Sequence, residues 1–270
     1  MPELPEVEVL RRDLESRLPK PARISRIHFF APKLRTPLQL PTALEKASWD
    51  VLAIGRRSKF LIFETNHGIL ISHLGMSGYW RVEAALNLIK HDHVVLQWKS
   101  GEFWVYNDPR RFGVFEFYPS IDKVKWFSRL GPEPFTDEFM SDAVVRSMRS
   151  SGRAIKSIIM DAQVMVGVGN IYASEALFRA GINPFKSGRK VPYKKMDELR
   201  RVIRTTLLNA IKGGGSSIRD YVHAGGEKGR FQDKHLVYGR EGKSCVKCGT
   251  IIQSRKCQGR STFWCRVCQS

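Results

Sequence analysis

Two pairs of cysteines near the end of the chain, Cys245 with Cys248 and Cys265 with Cys268, are spaced as C-x2-C-x16-C-x2-C. Thiolates at this spacing can close a tetrahedral zinc site on two tight turns. Four sulfur ligands leave no open coordination position, so one structural zinc is expected and catalysis belongs elsewhere. Cys257, between the pairs, reads as a bystander. The intervening "KCQGRSTFW" predicts a basic two-stranded tip suited to a groove or a phosphate. Arg260 is the side chain of choice there, with a solvated surface arginine as the plain alternative.

The opposite end, "MPELPEVE", offers a different chemistry. Proline at position 2 is small enough for removal of Met1, which would leave a secondary amine at the terminus. A terminal amine ordinarily titrates at about 7.7–8.0, and a nearby helix N-terminus lowers that further. It can therefore be neutral and nucleophilic near neutral pH and attack electrophilic carbon to give an iminium. Glu3 beside it can move protons. The competing reading of Pro2 is a residue that only starts a helix.

Three further stretches carry chemistry-bearing residues. "VGVGNIYASEALF" (166–178) sets glycines and Asn170 before a helix, where Asn170 suits the N-cap and the helix N-terminus suits a phosphate. "HLGMSG" (73–78) and "NDPRRFG" (107–113) are glycine-bounded turns carrying Met76, Arg110, Arg111 and Phe112. An exposed Met or Phe beside arginines could wedge into a base stack; otherwise both belong to the core. "KHDHV" (90–94) has two histidines but no third and fourth ligand, so a second metal is not expected.

Hydrophobic periodicity supplies the elements that must hold these groups. Leu4, Val7, Leu10, Leu14 and Leu18 predict a helix from about residue 4, with Glu8–Arg12 and Asp13–Arg17 pairs on its outer face. From about 23 to 118 the runs "RISRIHFF", "WDVLAIG", "KFLIFET", "GILISHL", "HVVLQW", "EFWVY" and "GVFEFY" predict an all-β unit, a sandwich or barrel. Helices are expected at "DEFMSDAVVRSMRS", "AIKSIIMD", "NIYASEALFRAG" and "YKKMDELRRVIRTTLLNAIKGGG". The last has Met196, Leu199, Ile203, Leu207 and Ala210 on one stripe and ends in glycines. The Gly-rich stretch after it is long enough to be a functional loop.

The chain has 270 residues, 45 Lys+Arg against 26 Asp+Glu and a formal net charge of +19. That excess draws polyanions, and nucleic acid is the leading partner. No apolar run reaches the length of a membrane span, and the acidic start lacks the apolar stretch of a secretory signal, so a soluble intracellular protein is expected. Such a compartment disfavours disulfides among the five cysteines.

In order along the chain, "MPELPEVE", "HLGMSG", "KHDHV", "NDPRRFG", "LGPEPF", "VGVGNIYASEALF" and the four-cysteine finger with "GRSTFWCRVCQ" resemble the bacterial formamidopyrimidine-DNA glycosylases, 8-oxoguanine DNA glycosylases with AP lyase activity. The resemblance implies a multidomain α+β fold: an N-terminal β-sandwich flanked by helices (1–120), a helical helix–two-turns–helix domain with a lesion-recognition loop near 215–232 (121–232), and a zinc finger (233–270). It implies that Pro2 attacks C1′ of the damaged nucleoside, that Glu3 is the acid/base, and that Lys59 and Arg260 act in β- and δ-elimination. It places His73, His91, Arg110 and Arg153 among the DNA contacts and Lys156 and Asn170 around the phosphates of the lesion. Met76, Arg110 and Phe112 would fill the gap left by the flipped base.

The implied partner is double-stranded DNA containing oxidised purines or abasic sites. The implied protein is a monomer of the bacterial cytoplasm and nucleoid, with no membrane association. Two readings compete. An endonuclease VIII-like glycosylase would share fold and nucleophile but act on oxidised pyrimidines; its "PEGPE" opening differs from the "PELPEVE" here. A non-enzymatic zinc-ribbon DNA-binding protein would keep the charge and the finger but have no use for a Pro-Glu terminus.

Overall fold

The computed structural model describes residues 1–216 and 231–270. The chain divides into two compact units, one of residues 1–128 with the segment that begins at Gly214, the other of residues 129–213 and 231–270.

The first unit opens with helix α1 (Leu4–Ser16), which buries Leu4, Val7, Leu10 and Leu14 against strands β2 (Trp49–Arg57) and β3 (Phe60–Thr65). Both expected ion pairs form, Arg12–Glu8 at 2.8 Å and Arg17–Asp13 at 2.7 Å. Glu8 does not lie on the outer face, however. It is buried, because Arg56 of β2 reaches it from the sheet at 3.0 Å.

The remaining strands are β1 (Arg23–Phe29), β4 (Gly68–His73), β5 (Tyr79–Glu83), β6 (Asp92–Trp98), β7 (Phe103–Asn107) and β8 (Val114–Tyr118). All pairings are antiparallel, in the order β5-β7-β6-β1-β2-β3-β4-β8. In a flat sheet β5 and β3 would lie about 24 Å apart, five strand spacings. Yet Trp80 of β5 and Phe63 of β3 have ring centroids 5.9 Å apart, and Trp80 meets Phe115 of β8 at 6.1 Å. The sheet must fold over. It does so at β1–β2, which is joined only through Arg23–Asp50 and Ile24–Trp49. The result is a sandwich whose interior holds Trp49, Phe63, Trp80, Trp98, Trp104 and Phe115, each at most 1% exposed. Truncating one of these aromatics would cost about 3–5 kcal/mol. Strand β5 was not among the expected runs: "YWRVE" is short and half-polar, and it is held by its pairing with β7 and the burial of Trp80.

The second unit is built on helices α2 (Asp142–Ser150), α3 (Ile155–Ile159), α4 (Asn170–Arg179) and α5 (Tyr193–Lys212). The expected stripe of α5 is buried. Helix α2 begins only at Asp142; residues 137–141 lie outside it. Between α3 and α4 the chain makes turns closed by Val164 N–H and Met165 N–H on the Asp161 carbonyl, at 2.9 and 3.1 Å. The N-cap of α4 is Gly169, with φ −128° and ψ −157°, and not Asn170, whose side chain serves a tertiary purpose described below.

The chain then continues into the cysteine-bearing segment, tied to α4 by Glu175. That buried carboxylate accepts the N–H groups of Leu236, Val237 and Tyr238 at 2.9–3.0 Å. Strands β9 (Gln253–Cys257) and β10 (Arg260–Trp264) form the expected basic hairpin. The expected lesion-recognition loop lies outside the described residues beyond Ser216. Among the described residues no helix is long and apolar enough to cross a membrane.

Candidate active site

The residues expected to act as nucleophile and acid/base, Pro2 and Glu3, lie immediately before the first turn of helix α1. Pro2 and Glu3 are both buried, and Glu3 is the N-cap. Its backbone N–H donates to Glu6 Oε2 at 2.8 Å, the three-residue reach of a capping box. The other oxygen of Glu6 accepts the N–H of Ser216 at 2.8 Å. Gly215 makes that approach possible: it sits at φ +75°, and a Cβ there would lie 3.3 Å from Glu6 Oε1. Glu6 therefore fixes the amide next to Pro2 and the chain that leaves α5 with one carboxylate.

One turn on, Glu8 accepts Arg11, Arg12 and Arg56. Burial alone would raise its pKa, and these arginines reverse that and hold it below the usual carboxylate range. Arg56 also donates to the Ser58 carbonyl at 2.8 Å. Ser58 lies at φ +56°, in the turn of the β2–β3 hairpin, and Lys59 follows it. A buried ion pair thus connects the first two turns of α1 with the turn bearing Lys59.

His73 lies opposite Phe60 in the β3–β4 register, with ring centroids 4.6 Å apart. Burial first, then the charges of Lys59 and Arg35, push its pKa down to about 4. The imidazole is neutral at pH 7. Its Nδ1 accepts the Gly75 N–H at 3.0 Å, which leaves the proton on Nε2 as a donor without charge.

Met76 and Phe112 are not core residues: they are 42% and 46% exposed. The Arg110 guanidinium sits 4.8 Å above the Phe112 ring, so these two exposed side chains join apolar and cationic surface. His91 is partly exposed, with φ +75°.

The second unit holds the remaining expected residues. Lys156 is 1% exposed, and its ammonium is engaged by protein oxygens: Asn170 Oδ1 at 2.6 Å, Thr262 Oγ1 at 2.8 Å and the Ser261 carbonyl at 3.1 Å. Asn170 Nδ2 donates to the same carbonyl at 3.0 Å. Both residues thus grip the backbone directly after Arg260, which is exposed at the start of β10 after the Gln258-Gly259 turn. That turn has positive φ at both positions, 47° and 75°, as a two-residue hairpin demands. Arg153 pairs with Asp161 at 2.8 Å. Arg153, Lys156, Ser157, Cys257 and Arg260 line a cavity of about 220 Å³ beside the hairpin.

The four sulfurs of Cys245, Cys248, Cys265 and Cys268 lie within 4.8 Å of one another, with Cys248–Cys265 at 3.5 Å and Cys245–Cys268 at 3.9 Å. Zn–S bonds of about 2.3 Å in a tetrahedron put sulfurs about 3.8 Å apart. The cluster can hold a metal ion of that kind. Gly249, at φ +75°, lets its N–H return to the Cys245 carbonyl at 2.9 Å and closes the first turn.

Glu6, Arg56 and Thr262 were not singled out in the sequence. Glu6 had a readable signal, its three-residue spacing from Glu3. Arg56 and Thr262 act across 48 and 106 residues of chain, and no local pattern marks them.

The formamidopyrimidine-DNA glycosylase N-terminal domain matches residues 1–115, and the H2TH domain of the same glycosylases matches residues 130–222. The formamidopyrimidine-DNA glycosylase of Bdellovibrio bacteriovorus is 42% identical over 269 residues and spans all of both chains. A Lactococcus lactis Fpg variant in complex with Fapy-dG-containing DNA superposes with a TM-score of 0.90 at 35% identity, covering 100% of each chain. The MutM (Fpg) protein of Thermus thermophilus gives 0.89 at 36% identity, with 99% of this chain and 98% of that one covered. With both domain types present in order and relatives matched end to end, this chain is a member of the formamidopyrimidine-DNA glycosylase family.

Proposed function

We propose that this protein is a base-excision repair glycosylase and AP lyase that removes oxidised purines, 8-oxoguanine and formamidopyrimidines, from duplex DNA. The observation that supports this most directly is the N-terminal end of α1. Pro2 and Glu3 are buried together, the Glu3 amide is held by Glu6, and the Lys59 turn is tied to the same helix through Glu8 and Arg56.

A base stacked in duplex DNA must leave the stack before its glycosidic bond can be reached. In this reading Met76, Arg110 and Phe112 fill the gap it leaves. With Met1 removed, the Pro2 nitrogen attacks C1′ as the bond to the purine breaks and the purine departs with the bonding pair. Opening of the sugar ring then gives an iminium between Pro2 and C1′, and Glu3 handles the proton transfers. The iminium acidifies the C2′ proton; its loss expels the 3′ phosphate, and loss of the C4′ proton in a second elimination expels the 5′ phosphate. Lys59 and Arg260 supply positive charge for these two steps. His73, His91 and Arg153 contact DNA, while Lys156 and Asn170 hold the phosphates around the lesion and also set the hairpin that carries Arg260. The metal is a single structural zinc on the four cysteines; it holds the finger and takes no part in bond making. The protein acts as a monomer in the bacterial cytoplasm and nucleoid.

Borohydride reduction during turnover tests this. The expected product is one covalent protein–DNA adduct on the N-terminal peptide with an oxidised-purine duplex, and much less with an oxidised-pyrimidine duplex. A cross-link mapped to Lys59, or full activity with acetylated Pro2, would overturn the mechanism. Equal trapping on both lesions would overturn the purine assignment.

A further inference from the structure

Three stretches that look separate in sequence, 73–78, 90–94 and 107–113, converge on one residue, Asp108. Asp108 is 0% exposed. Its Oδ1 accepts the Ser77 hydroxyl at 2.8 Å and the Arg110 N–H at 3.3 Å; its Oδ2 accepts the Gly113 N–H at 2.8 Å. Its backbone N–H donates to the His91 carbonyl at 3.0 Å, and its carbonyl accepts His93 Nε2–H at 3.0 Å. A buried carboxylate is an acceptor with room for several donors, and Ser77, Arg110 and Gly113 all belong to loops that bear an exposed wedge residue, while Tyr106 of β7 reaches the same carboxylate. Ser77 follows Met76, while Arg110 and Gly113 bracket Phe112.

The backbones of the two loops also touch. A Cβ on Gly75 would fall 2.5 Å from the Phe112 carbonyl carbon and 2.6 Å from Gly113 N. Cβ atoms on Gly78 and Gly113 would fall 2.1 and 1.9 Å from Tyr106 Oη, which itself donates to the His73 carbonyl at 3.3 Å. Nothing larger than hydrogen fits between the loops at these points.

We infer that Asp108 is a positioning residue that joins the Met76 and Phe112 loops into one wedge, set before DNA is bound. The inference rests on the gap-filling role proposed above for Met76 and Phe112. A flexible pair of loops would have to be ordered at each base-flipping event; a wedge held by Asp108 has that ordering built into the fold. Asp108 touches no reacting atom. Its effect is confined to steps that need the gap filled, namely excision from a duplex. β-Elimination at an abasic site already exposed in single-stranded DNA needs no wedge.

Two variants test this. Asp108→Asn keeps one acceptor oxygen but turns an NH2 toward a backbone donor. Ser77→Ala removes only the bond to the Met76 loop and leaves the Phe112 loop bonds in place. Single-turnover excision of 8-oxoguanine from duplex DNA is expected to fall about ten-fold or more in Asp108→Asn and by a smaller factor in Ser77→Ala. Cleavage of a single-stranded abasic site should stay within about two-fold of wild type in both. In the Met76→Ala background, Asp108→Asn should cost much less than it does alone, because its effect runs through the wedge.

Equal losses in the two assays, or full additivity with Met76→Ala, would show a general structural role and overturn the inference. If Asp108→Asn does not fold, the Ser77→Ala ratio decides alone: an unchanged ratio rejects the shared wedge. If Met76→Ala and Phe112→Ala leave duplex excision intact, the gap-filling reading itself fails. If they impair it while Ser77→Ala and Asp108→Asn do not, only the role of Asp108 fails.

Discussion

The two units position their functional groups with buried charges, carboxylates in both (Glu175 holds three backbone N–H groups in the second) and, at the arginine-bearing hairpin of the second, an ammonium. In the first, buried carboxylates gather donors: Glu6 holds two backbone N–H groups, Glu8 holds three arginines, and Asp108 holds a hydroxyl and two amides. In the second, a buried ammonium gathers acceptors, as Lys156 holds a side-chain amide, a hydroxyl and a carbonyl around the hairpin. Each buried charge is satisfied by several partners, which is the condition under which burial is tolerated. The sign has a consequence for function. A carboxylate can fix the N-terminus of a helix that must present an amine, whereas a cation beside an exposed arginine tip adds to a field that attracts phosphate.

The largest expected effect falls on the second unit, where the four-cysteine cluster is proposed to hold a structural zinc. Structural zinc in small fingers contributes about 10–16 kcal/mol of folding free energy. Stripping the metal with a chelator, or the substitution Cys265→Ser, should release the β9–β10 hairpin and abolish the contribution of Arg260. Trp264, in β10, is the single tryptophan of that unit, so its emission should shift with zinc loss. Hydrogen exchange at 253–264 that stays protected after complete zinc removal would show that Lys156 alone suffices to hold the hairpin.

Next in size is Lys156→Met, which keeps the aliphatic stem and deletes the charge. Asn170 Oδ1, Thr262 Oγ1 and the Ser261 carbonyl each lose a donor, and leaving a buried polar group unpaired costs about 1–3 kcal/mol. Partial rescue by Asn170 Nδ2, which still reaches Ser261, should limit the total to about 3 kcal/mol in a denaturant titration. Zinc content should be unchanged, while elimination at an abasic site slows more than base release. A variant as stable as wild type would mean that Lys156 is held for a direct contact with DNA.

Much of this arrangement was legible in the sequence, and the part that was not has a common physical cause. The α1 stripe, seven of the strands, the α5 stripe and the cysteine spacing are periodic or local signals, and the chain folds accordingly. Strand β5 was missed because its five residues have too little alternation to register, and tertiary burial of Trp80 decides it. Asn170 was misplaced as a cap because its residue type favours caps, while the structure spends its amide on Ser261 and leaves capping to Gly169. Exposure of Met76 and Phe112 could not be read from type alone, since apolar residues default to the core. Arg56 announces itself only through partners distant in sequence, and the link from Asp108 to Ser77 and from Glu6 to Ser216 is equally hidden, although Glu6 left a local sign in its spacing from Glu3.

A more modest effect is expected for Glu6→Gln in the first unit. One amide oxygen can still accept either Glu3 N–H or Ser216 N–H, but the NH2 group then faces the other donor. The loss should be about 1–3 kcal/mol in stability. Iminium trapping should slow without a change in zinc content or in hairpin protection, which separates it from Lys156→Met. If trapping is unaffected, the placement of Glu3 does not depend on Glu6.

The smallest effect distinguishes the two units by pH. His73 titrates near 4 in the folded protein, first because it is desolvated and second because Lys59 and Arg35 oppose its charge. In the unfolded chain the same group titrates near its ordinary value of about 6.5. Between those two values the unfolded state binds a proton that the folded state does not, so stability rises with pH through the window. The contribution of His73 is complete above about pH 6.5 and is lost progressively as pH falls toward 4. His73→Asn removes the titrating group while Oδ1 can still accept the Gly75 N–H in place of Nδ1. The variant should therefore lose less melting temperature than wild type between about pH 7 and pH 5. It should also show the same pH profile for DNA binding between about pH 6 and 8, because a neutral His73 contributes an Nε2–H donor and no charge there. Equal losses of melting temperature in both proteins would mean that the imidazole is protonated in the fold, and that His73 meets phosphate as a cation.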